Sequence, residues 1–208
     1  MLKFGVVGCG DVATRAYLPG LTTLADRARV VACFDPVAER AEAAAARFQG
    51  ASTYTTYDEF LAHPGGMDVV INLTPAPLHR QITGDALEAG YHVLSEKPIA
   101  ATLAEARELG AIAARQGRQL FCAPAIMVTA RFRWLKQLID EDRIGRPTVA
   151  LTQLANLGPA GWCGYTGDPS VFYGQGVGPL IDTGVYMLHA MTGLLGPARR
   201  VQAMGGIA

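Results

Sequence analysis

The stretch that decides the fold is Phe4-Gly5-Val6-Val7-Gly8-Cys9-Gly10-Asp11-Val12-Ala13. It begins as a short apolar run, typical of a buried strand, and continues as the pattern Gly-x-Gly-x-x-Ala. In that pattern the first glycine permits a tight turn, and the second lets the backbone approach a diphosphate. The small third residue lets the next helix pack closely on the strand, so that the helix amides face the phosphates. We therefore predict a dinucleotide-binding turn made by Gly8, Gly10, Asp11, Val12 and Ala13.

Short apolar runs alternate with helix-like segments from residue 1 to about 123. The predicted strands are 3–7, 29–34, 52–54, 68–73, 91–95 and 119–123. The predicted helices are 12–24, 37–47, 57–62, 78–89 and 102–116. Strict alternation of this kind indicates βαβ units, in which helices cover both faces of a parallel sheet. We predict an α/β chain with a Rossmann, doubly wound dinucleotide-binding domain over residues 1–124.

The pattern changes after Pro124. A helix over about 129–142 and a strand over 148–152 precede a segment rich in glycine and aromatic residues, 157–178. A helix over about 180–195 and a strand over 200–204 follow. Two strands do not easily close a sheet. We therefore predict an incomplete, truncated α+β substrate and oligomerisation domain over 125–208. If the chain stops at Ala208, we expect it to bind dinucleotide but react poorly, with residues beyond about 145 partly unfolded.

Charge and composition narrow the class of protein. The chain has 18 Lys+Arg and 18 Asp+Glu. It therefore does not have the excess of positive charge that is typical of nucleic-acid-binding proteins. Apolar runs are interrupted too often to span a membrane, and the start has no signal-peptide pattern, so we predict a cytoplasmic protein. The four cysteines and four histidines lack metal-ligand spacing, and we predict no metal site.

Polar side chains follow several of the predicted strands. Asp35 ends the strand 29–34, Thr74-Pro75 ends 68–73 with His79 in the next helix, and Glu96-Lys97-Pro98 follows 91–95. The carboxyl ends of parallel strands share one edge of a sheet, and ligands bind in the crevice outside it. We therefore predict that these residues converge on one site. Thr74 has a second interpretation, as a cap for the next helix.

Asp35 bears on the choice of cofactor. A carboxylate at the end of the second strand binds the ribose hydroxyls of adenosine and repels a 2′-phosphate. This favours NAD, with NADP as the alternative. A second interpretation is that Asp35-Pro36 is only a turn, with a helix that starts at Pro36.

Three motifs together resemble the Gfo/Idh/MocA oxidoreductases, which include glucose–fructose oxidoreductase, inositol dehydrogenases and dihydrodiol dehydrogenases. They are the turn at 8–13, Thr74-Pro75 with His79, and Gly90-Tyr91-His92-Val93-Leu94-Ser95-Glu96-Lys97-Pro98. The resemblance implies hydride transfer between NAD(P) and a sugar, cyclitol or related polyol, and a homo-oligomer where the second domain is complete. It places Glu96 near the nicotinamide ribose and Lys97 at the substrate hydroxyl, and it implies a cis Lys97–Pro98 peptide.

The helix after Gly178 carries the remaining predicted site residues. At helical spacing Asp182, Tyr186 and His189 fall on one stripe of an otherwise apolar helix, which indicates a wet or ligand-filled surface. The alternative is a solvent-facing stripe with Asp182 near the helix start. The family typically has Asp-x-Gly-x-His here, with the histidine as acid and base. Tyr186 takes that place, as in some relatives, and His189 stands where many relatives have aspartate.

These residues suggest one chemistry. An alcohol carbon gives a hydride to the nicotinamide, and the hydroxyl proton must leave with it. A phenol has a pKa of about 10 in water, so we expect the Lys97 ammonium to favour a Tyr186 phenolate, with Asp182 orienting the lysine or the substrate. Aromatic residues of the 157–178 segment form either a sugar-stacking wall or core: Trp162, Tyr165, Phe172 and Tyr173. With His189, Trp162 and Tyr173 are the predicted substrate contacts.

Two other functions fit the same scaffold. One is a dinucleotide-binding regulator without turnover, against which the presence of both Lys97 and Tyr186 argues. The other is an NAD-dependent glycosidase, which oxidises its sugar transiently and releases no net NADH.

Overall fold

The structure is a computed structural model that describes residues 1–155, 158–165, 167–174 and 177–205. It divides into two compact units. The first comprises Met1–Ala123 with Leu157–Asp182, and the second comprises Pro124–Asn156 with Thr183–Ala208. The segment that ends at Asp182 therefore groups with the first unit, although it lies beyond residue 124. Among the described helices, none has the length and apolarity needed to cross a membrane.

The first unit is built on a six-stranded parallel sheet in the order β3-β2-β1-β4-β5-β6. Its strands are β1 Leu2–Val7, β2 Ala28–Phe34, β3 Ser52–Tyr54, β4 Val69–Asn72, β5 His92–Ser95 and β6 Leu120–Cys122. The strand order reverses between β1 and β4, which is the switch point of a doubly wound fold. The predicted Rossmann fold is confirmed, including the short strand at 52–54.

Helices connect these strands within a residue or two of the predicted bounds for most of the first unit. They are α1 Leu18–Thr22, α2 Ala38–Ala45, α3 Tyr57–Leu61, α4 His79–Glu88 and α5 Leu103–Gln116. A π-helical turn, Ala13–Tyr17, replaces the start of the first predicted helix. The longest helix, α5, begins with a capping box between Thr102 and Glu105 and ends at Gly117 in the left-handed region, φ 63°.

The core lies on both faces of the sheet. One apolar cluster contains Val7, Val70, Val93 and Leu109, and the other contains Val6, Leu18, Cys33 and Ile71. Neighbouring residues of a strand point to opposite faces, so a sheet covered on both sides needs continuous apolar runs such as Val69-Val70-Ile71. This packing fixes where each strand ends.

The strands end in register. Val7 pairs with Phe34 on one side and with Asn72 on the other, and Asn72 pairs with Ser95. The next residues of the four strands, Gly8, Asp35, Leu73 and Glu96, therefore leave the sheet at one level. We call the edge formed by these C-terminal strand ends the carboxyl edge.

The second unit contains α6 Ala130–Asp140 and α7 Val185–Leu195. The predicted strands 148–152 and 200–204 are wrong: neither segment has regular structure, and Leu151 and Val201 are 92% and 81% exposed. A strand needs a partner for its amides and carbonyls, and neither segment pairs with another described residue. The apolar residues of these two segments favour a strand, but they do not provide a neighbouring strand to pair with.

The predicted helix over 180–195 also differs in detail. Its first turn, Leu180–Gly184, is a π-helix, and regular α geometry begins only at Val185. The predicted stripe assumed α-helical spacing throughout, which the wider turn interrupts. The apolar side chains of the helix are not all covered, since Leu188 is 59% exposed whereas Ala190 is buried.

Candidate active site

The glycine turn that follows β1 is tightly packed at one glycine and open at the other. Gly8 has φ 84°, and a Cβ there would lie 2.9 Å from backbone atoms of Leu73 and Thr74. A Cβ on Gly10 would meet nothing within 4 Å. The backbone that follows β4 therefore leaves no room for a side chain at position 8. The space above Gly10, in contrast, can admit a ligand group close to the backbone.

Asp35 holds this turn from the end of β2. Its carboxylate is buried, and Oδ2 accepts a hydrogen bond from the Cys9 amide at 2.9 Å. Oδ1 accepts from the Val37 amide at 2.9 Å, which makes a local side-chain turn. Asp35 and Pro36 therefore do form a turn, as in the second interpretation, but α2 begins at Ala38 and not at Pro36. Asp35 thus joins the two βα connections that face each other across β1 and β2.

A residue that the sequence analysis missed organises the end of β4. Asn72 is fully buried, and its Oδ1 accepts from the Thr74 amide at 3.1 Å and from the Thr74 hydroxyl at 2.6 Å. Its Nδ2 donates to Thr83 Oγ1 at 3.1 Å on α4. The Thr74 hydroxyl therefore bonds to Asn72 and does not cap α4. The available signal was a polar residue in the last position of an otherwise apolar strand.

His79 links two of the strand ends. The imidazole is 1% exposed, with Nδ1 lying 2.5 Å from the Pro98 carbonyl oxygen and Nε2 2.7 Å from that of Thr74. Both ring nitrogens thus contact backbone carbonyls of the segments after β4 and β5. This geometry makes His79 a link between the segments after β4 and β5, and its predicted contact with a cofactor stays a prediction. Pro75, next to Thr74, is exposed.

Glu96 and Lys97 leave β5 at the carboxyl edge. The Lys97–Pro98 peptide is cis, as the resemblance implied. Glu96 Oε2 accepts from the Lys97 amide at 3.0 Å, and Oε1 accepts from the Tyr17 hydroxyl at 2.6 Å. Tyr17 is a second residue that the sequence analysis missed, because only the fold brings the first helical connection beside β5.

Lys97 and Asp182 form a buried ion pair within the first unit. The Lys97 ammonium donates to Asp182 Oδ1 at 2.5 Å and to the Asp182 carbonyl oxygen at 2.7 Å. Their side chains are only 12% and 8% exposed. Of the two predicted roles for Asp182, this contact favours orientation of the lysine.

The segment that carries the aromatic residues contacts the helical turn after Gly10. Arg15 Nε lies 2.9 Å from Asp11 Oδ1, and the Arg15 guanidinium donates to the carbonyls of Cys163 and Gly164. Burial and then the negative charge of Asp11 raise the pKa of Tyr165. The Asp11 carboxylate is thus paired with Arg15, which also binds two carbonyls of this segment.

The predicted aromatic wall forms a small cluster. The rings of Trp162, Tyr165 and Phe172 pack edge to face with centroids 5.2–5.8 Å apart. Trp162 keeps 39% of its surface exposed, and Tyr173 is 55% exposed. Trp162 and Tyr173 are therefore both accessible to a ligand, and their contacts with a substrate remain predictions.

Tyr186 and His189 lie on α7 in the second unit, and both are half-buried. Their roles as proton carrier and substrate contact remain predictions. In the first unit Ala13 is buried in the core and Val12 is 43% exposed, and their contacts with a dinucleotide also remain predictions.

Cys122, at the end of β6, lies beside Glu96, with Sγ 3.8 Å from the Glu96 carbonyl oxygen. Desolvation of the Cys122 thiol, followed by the negative charge of Glu96, raises its pKa to about 12, although Lys97 opposes this shift. The thiol therefore stays protonated at neutral pH. Over the residues that the structure describes, His, Cys, Asp and Glu form no cluster suited to a metal ion.

Comparison with known protein families assigns both parts of the chain to one family. Residues 2–123 match the model described as "Oxidoreductase family, NAD-binding Rossmann fold", and residues 132–208 match the "GFO/IDH/MocA C-terminal domain". D-glucoside 3-dehydrogenase of Escherichia coli is 31% identical over 196 residues, covering 94% of this chain and 54% of the relative. The chain spans about half the length of the curated relatives it matches.

Solved structures with similar folds contain nicotinamide cofactors. KijD10, a 3-ketoreductase from Actinomadura kijaniata in complex with NADP and TDP-benzene, has TM-score 0.75 and 29% identity, covering 94% of this chain and 57% of its own. The WlbA dehydrogenase from Bordetella pertussis, in complex with NADH and UDP-GlcNAcA, has TM-score 0.64 and 30% identity, covering 70% and 41%. The similarity therefore extends beyond the Rossmann domain.

The two glycines of the turn give a matched pair of substitutions. Gly8→Ala should lower the free energy of unfolding by at least about 2 kcal/mol, because it combines a left-handed φ with a backbone clash. Gly10→Ala should change it by less than about 1 kcal/mol, since the added methyl enters open space. Urea unfolding followed by circular dichroism measures both, and equal losses would contradict the described geometry.

His79 provides a test of the link between β4 and β5. His79→Ala should cost about 3 kcal/mol of unfolding free energy, because it opens a cavity and removes the hydrogen bond that the buried imidazole donates to a backbone carbonyl. His63→Ala is the control: His63 contacts the Tyr54 hydroxyl at 2.7 Å and is only half-buried, so we expect about 1 kcal/mol. The same urea titrations distinguish them, and the link fails if His79→Ala is the milder change.

Proposed function

Since this chain belongs to the Gfo/Idh/MocA oxidoreductases, we propose that it binds NAD at the carboxyl edge and belongs to an enzyme that transfers a hydride to or from a sugar, cyclitol or related polyol. The observation that carries the proposal is the placement of Lys97. Its ammonium is held by Asp182 at 2.5 Å, at the same edge as the glycine turn. A fixed ammonium at the same edge of the sheet as a glycine turn suits reaction at an alcohol or carbonyl oxygen.

The residues at the carboxyl edge fit a dinucleotide. Open space above Gly10 leaves room for a diphosphate, and Asp35 stands at the end of β2 for the adenosine ribose. The other half of the cofactor then extends across the switch point toward β4 and β5, where Thr74 and Glu96 are its expected contacts. Bound NAD supplies the hydride acceptor, and NADH the hydride donor.

Lys97 is the proposed catalytic cation. Its pair with Asp182 fixes the position of the ammonium, which a flexible lysine chain would not hold by itself. An ammonium near the reacting oxygen stabilises the negative charge that develops when a hydroxyl loses its proton or a carbonyl accepts a hydride. We propose Tyr186 as the residue that takes up or returns that proton.

The proposed substrates are sugars and related polyols. The name of one relative contains D-glucoside, and UDP-GlcNAcA and TDP-benzene are bound in the two solved structures. Trp162 and Tyr173 present accessible aromatic surface of the kind that packs on sugar rings. With His189, they are the proposed substrate contacts.

Location and assembly extend the proposal. We place the protein in the cytoplasm, where reducing conditions agree with free thiols at Cys9, Cys33, Cys122 and Cys163. A homo-oligomer is expected where the second domain is complete.

Lys97→Met tests the catalytic proposal. It should lower turnover at least 100-fold, since it removes the cation at the reacting oxygen, while NAD binding changes much less. NADH absorbance with NAD and a panel of sugars and polyols measures turnover, and calorimetry measures binding.

Lys136→Met is the control for this substitution. Lys136 also forms an ion pair with an aspartate, Asp140, but on the surface of α6. Its loss should leave turnover unchanged. Binding of NAD without oxidation of any panel member would favour the regulator, and sugar release without NADH would favour the glycosidase.

Asp35→Asn tests the choice of cofactor. The native chain should bind NADH at least tenfold more tightly than NADPH, because the Asp35 carboxylate repels a 2′-phosphate. The substitution should reduce that ratio about tenfold by removing the charge. Dissociation constants for both cofactors, measured by fluorescence titration, give the ratio.

Asp68→Asn is the matched control. Asp68 precedes β4 at the opposite end of the sheet, where its Oδ2 accepts from the Lys3 amide at 2.7 Å. It should leave the ratio unchanged. Equal affinity of the native chain for NADH and NADPH would refute the role of Asp35.

A further inference from the structure

The hydroxyl of Tyr17 makes a hydrogen bond between the connection after β1 and the end of β5. It donates to Glu96 Oε1 at 2.6 Å, a length typical of an O–H group bonded to a carboxylate. The ring of Tyr17 is partly buried against the apolar cluster that contains Leu18 and Ile71. A rigid ring anchored in the core thus carries the donor to the carboxylate.

The geometry of the first helical connection directs Tyr17 toward Glu96. Tyr17 is the last residue of the π-helical turn Ala13–Tyr17, which follows the glycine turn directly. A π turn takes more residues than an α turn, so it changes the direction of the side chains that follow it. The bond therefore joins the connection after β1 to the end of β5, on opposite sides of β4.

The other oxygen of Glu96 is also engaged. Oε2 accepts from the Lys97 amide at 3.0 Å, so the carboxylate has a donor on each side. A carboxylate oxygen has two acceptor positions, and these bonds orient the plane of the group while leaving acceptor capacity for a ligand hydroxyl.

We infer that Tyr17 is a positioning residue for the nicotinamide half of the cofactor site, acting through Glu96. This rests on the proposed function, in which Glu96 accepts a hydrogen bond from the nicotinamide ribose. A carboxylate already held in its bound orientation loses less side-chain entropy when the ribose binds. Binding of the adenosine half depends on Asp35 and the glycine turn. Loss of the Tyr17 hydroxyl should therefore weaken binding of the nicotinamide half and leave that of the adenosine half unchanged.

Tyr17→Phe tests the inference because it removes the hydroxyl and keeps the ring in the core. It should raise the dissociation constant for NAD about fivefold to tenfold and that for ADP, which lacks the nicotinamide ribose, less than twofold. Calorimetric titration of the full chain with each ligand gives both values. A merely structural loss would weaken both ligands by the same factor.

A double-mutant cycle tests whether Tyr17 acts through Glu96. In the Glu96→Ala background, Tyr17→Phe should change the NAD dissociation constant less than twofold, since the group that it positions is gone. Tyr91→Phe is the matched control: the Tyr91 hydroxyl donates to the Leu61 carbonyl at 2.6 Å, at the amino end of β5. It should leave both ligands unaffected.

The outcomes separate this inference from the proposed function. If the native chain binds ADP and NAD, and Tyr17→Phe weakens both equally or neither, the positioning role is wrong and the proposed function stands. The same conclusion follows if Tyr17→Phe keeps its full effect without Glu96. If the native chain binds neither ligand, the proposed function fails, and the positioning role fails with it.

Discussion

Parallel pairing in register is the constraint on which the rest of the structure depends. The last residues of β2, β1, β4 and β5 lie side by side, and they are Phe34, Val7, Asn72 and Ser95. The four segments that follow these strands therefore leave the sheet at one level. The hydrogen bonds continue one residue further, from Gly8 to Phe34 and from Glu96 to Asn72. Side chains that are distant in sequence therefore meet, because apolar packing on both faces prevents the strands from sliding.

Buried polar side chains hold the loops that follow the strands at the carboxyl edge. Asp35, Asn72 and His79 are almost fully buried, and each bonds to backbone at the carboxyl edge. Burial of such groups is unfavourable unless their hydrogen bonds are satisfied, and every buried side-chain nitrogen or oxygen among the described residues has a partner. These bonds define the conformations of the loops that must receive a cofactor. The Lys97–Asp182 pair has the same character, since its ammonium has little freedom to move.

Sequence reasoning succeeded where a local pattern has one structural solution. Gly8 requires a left-handed φ beside the backbone of Leu73, which only glycine tolerates readily, and this need is visible in the motif. The strands 148–152 and 200–204 were predicted from short runs that contain apolar residues, but a strand also depends on a partner, which composition does not reveal. The π turns at Ala13–Tyr17 and Leu180–Gly184 were likewise invisible, because a helical pattern does not report one additional residue in a turn.

The amino-acid sequence by itself determined the alternation of strands and helices, the glycine turn and the chemical character of the strand ends. Each depends on residues within a few positions of one another, where steric limits and apolar periodicity act directly. Only the tertiary structure decided that Tyr17 bonds to Glu96, that His79 joins Thr74 to Pro98 and that Asp182 holds Lys97. Those contacts join residues up to 85 positions apart, and their distances follow from the register of the sheet and the paths of the loops.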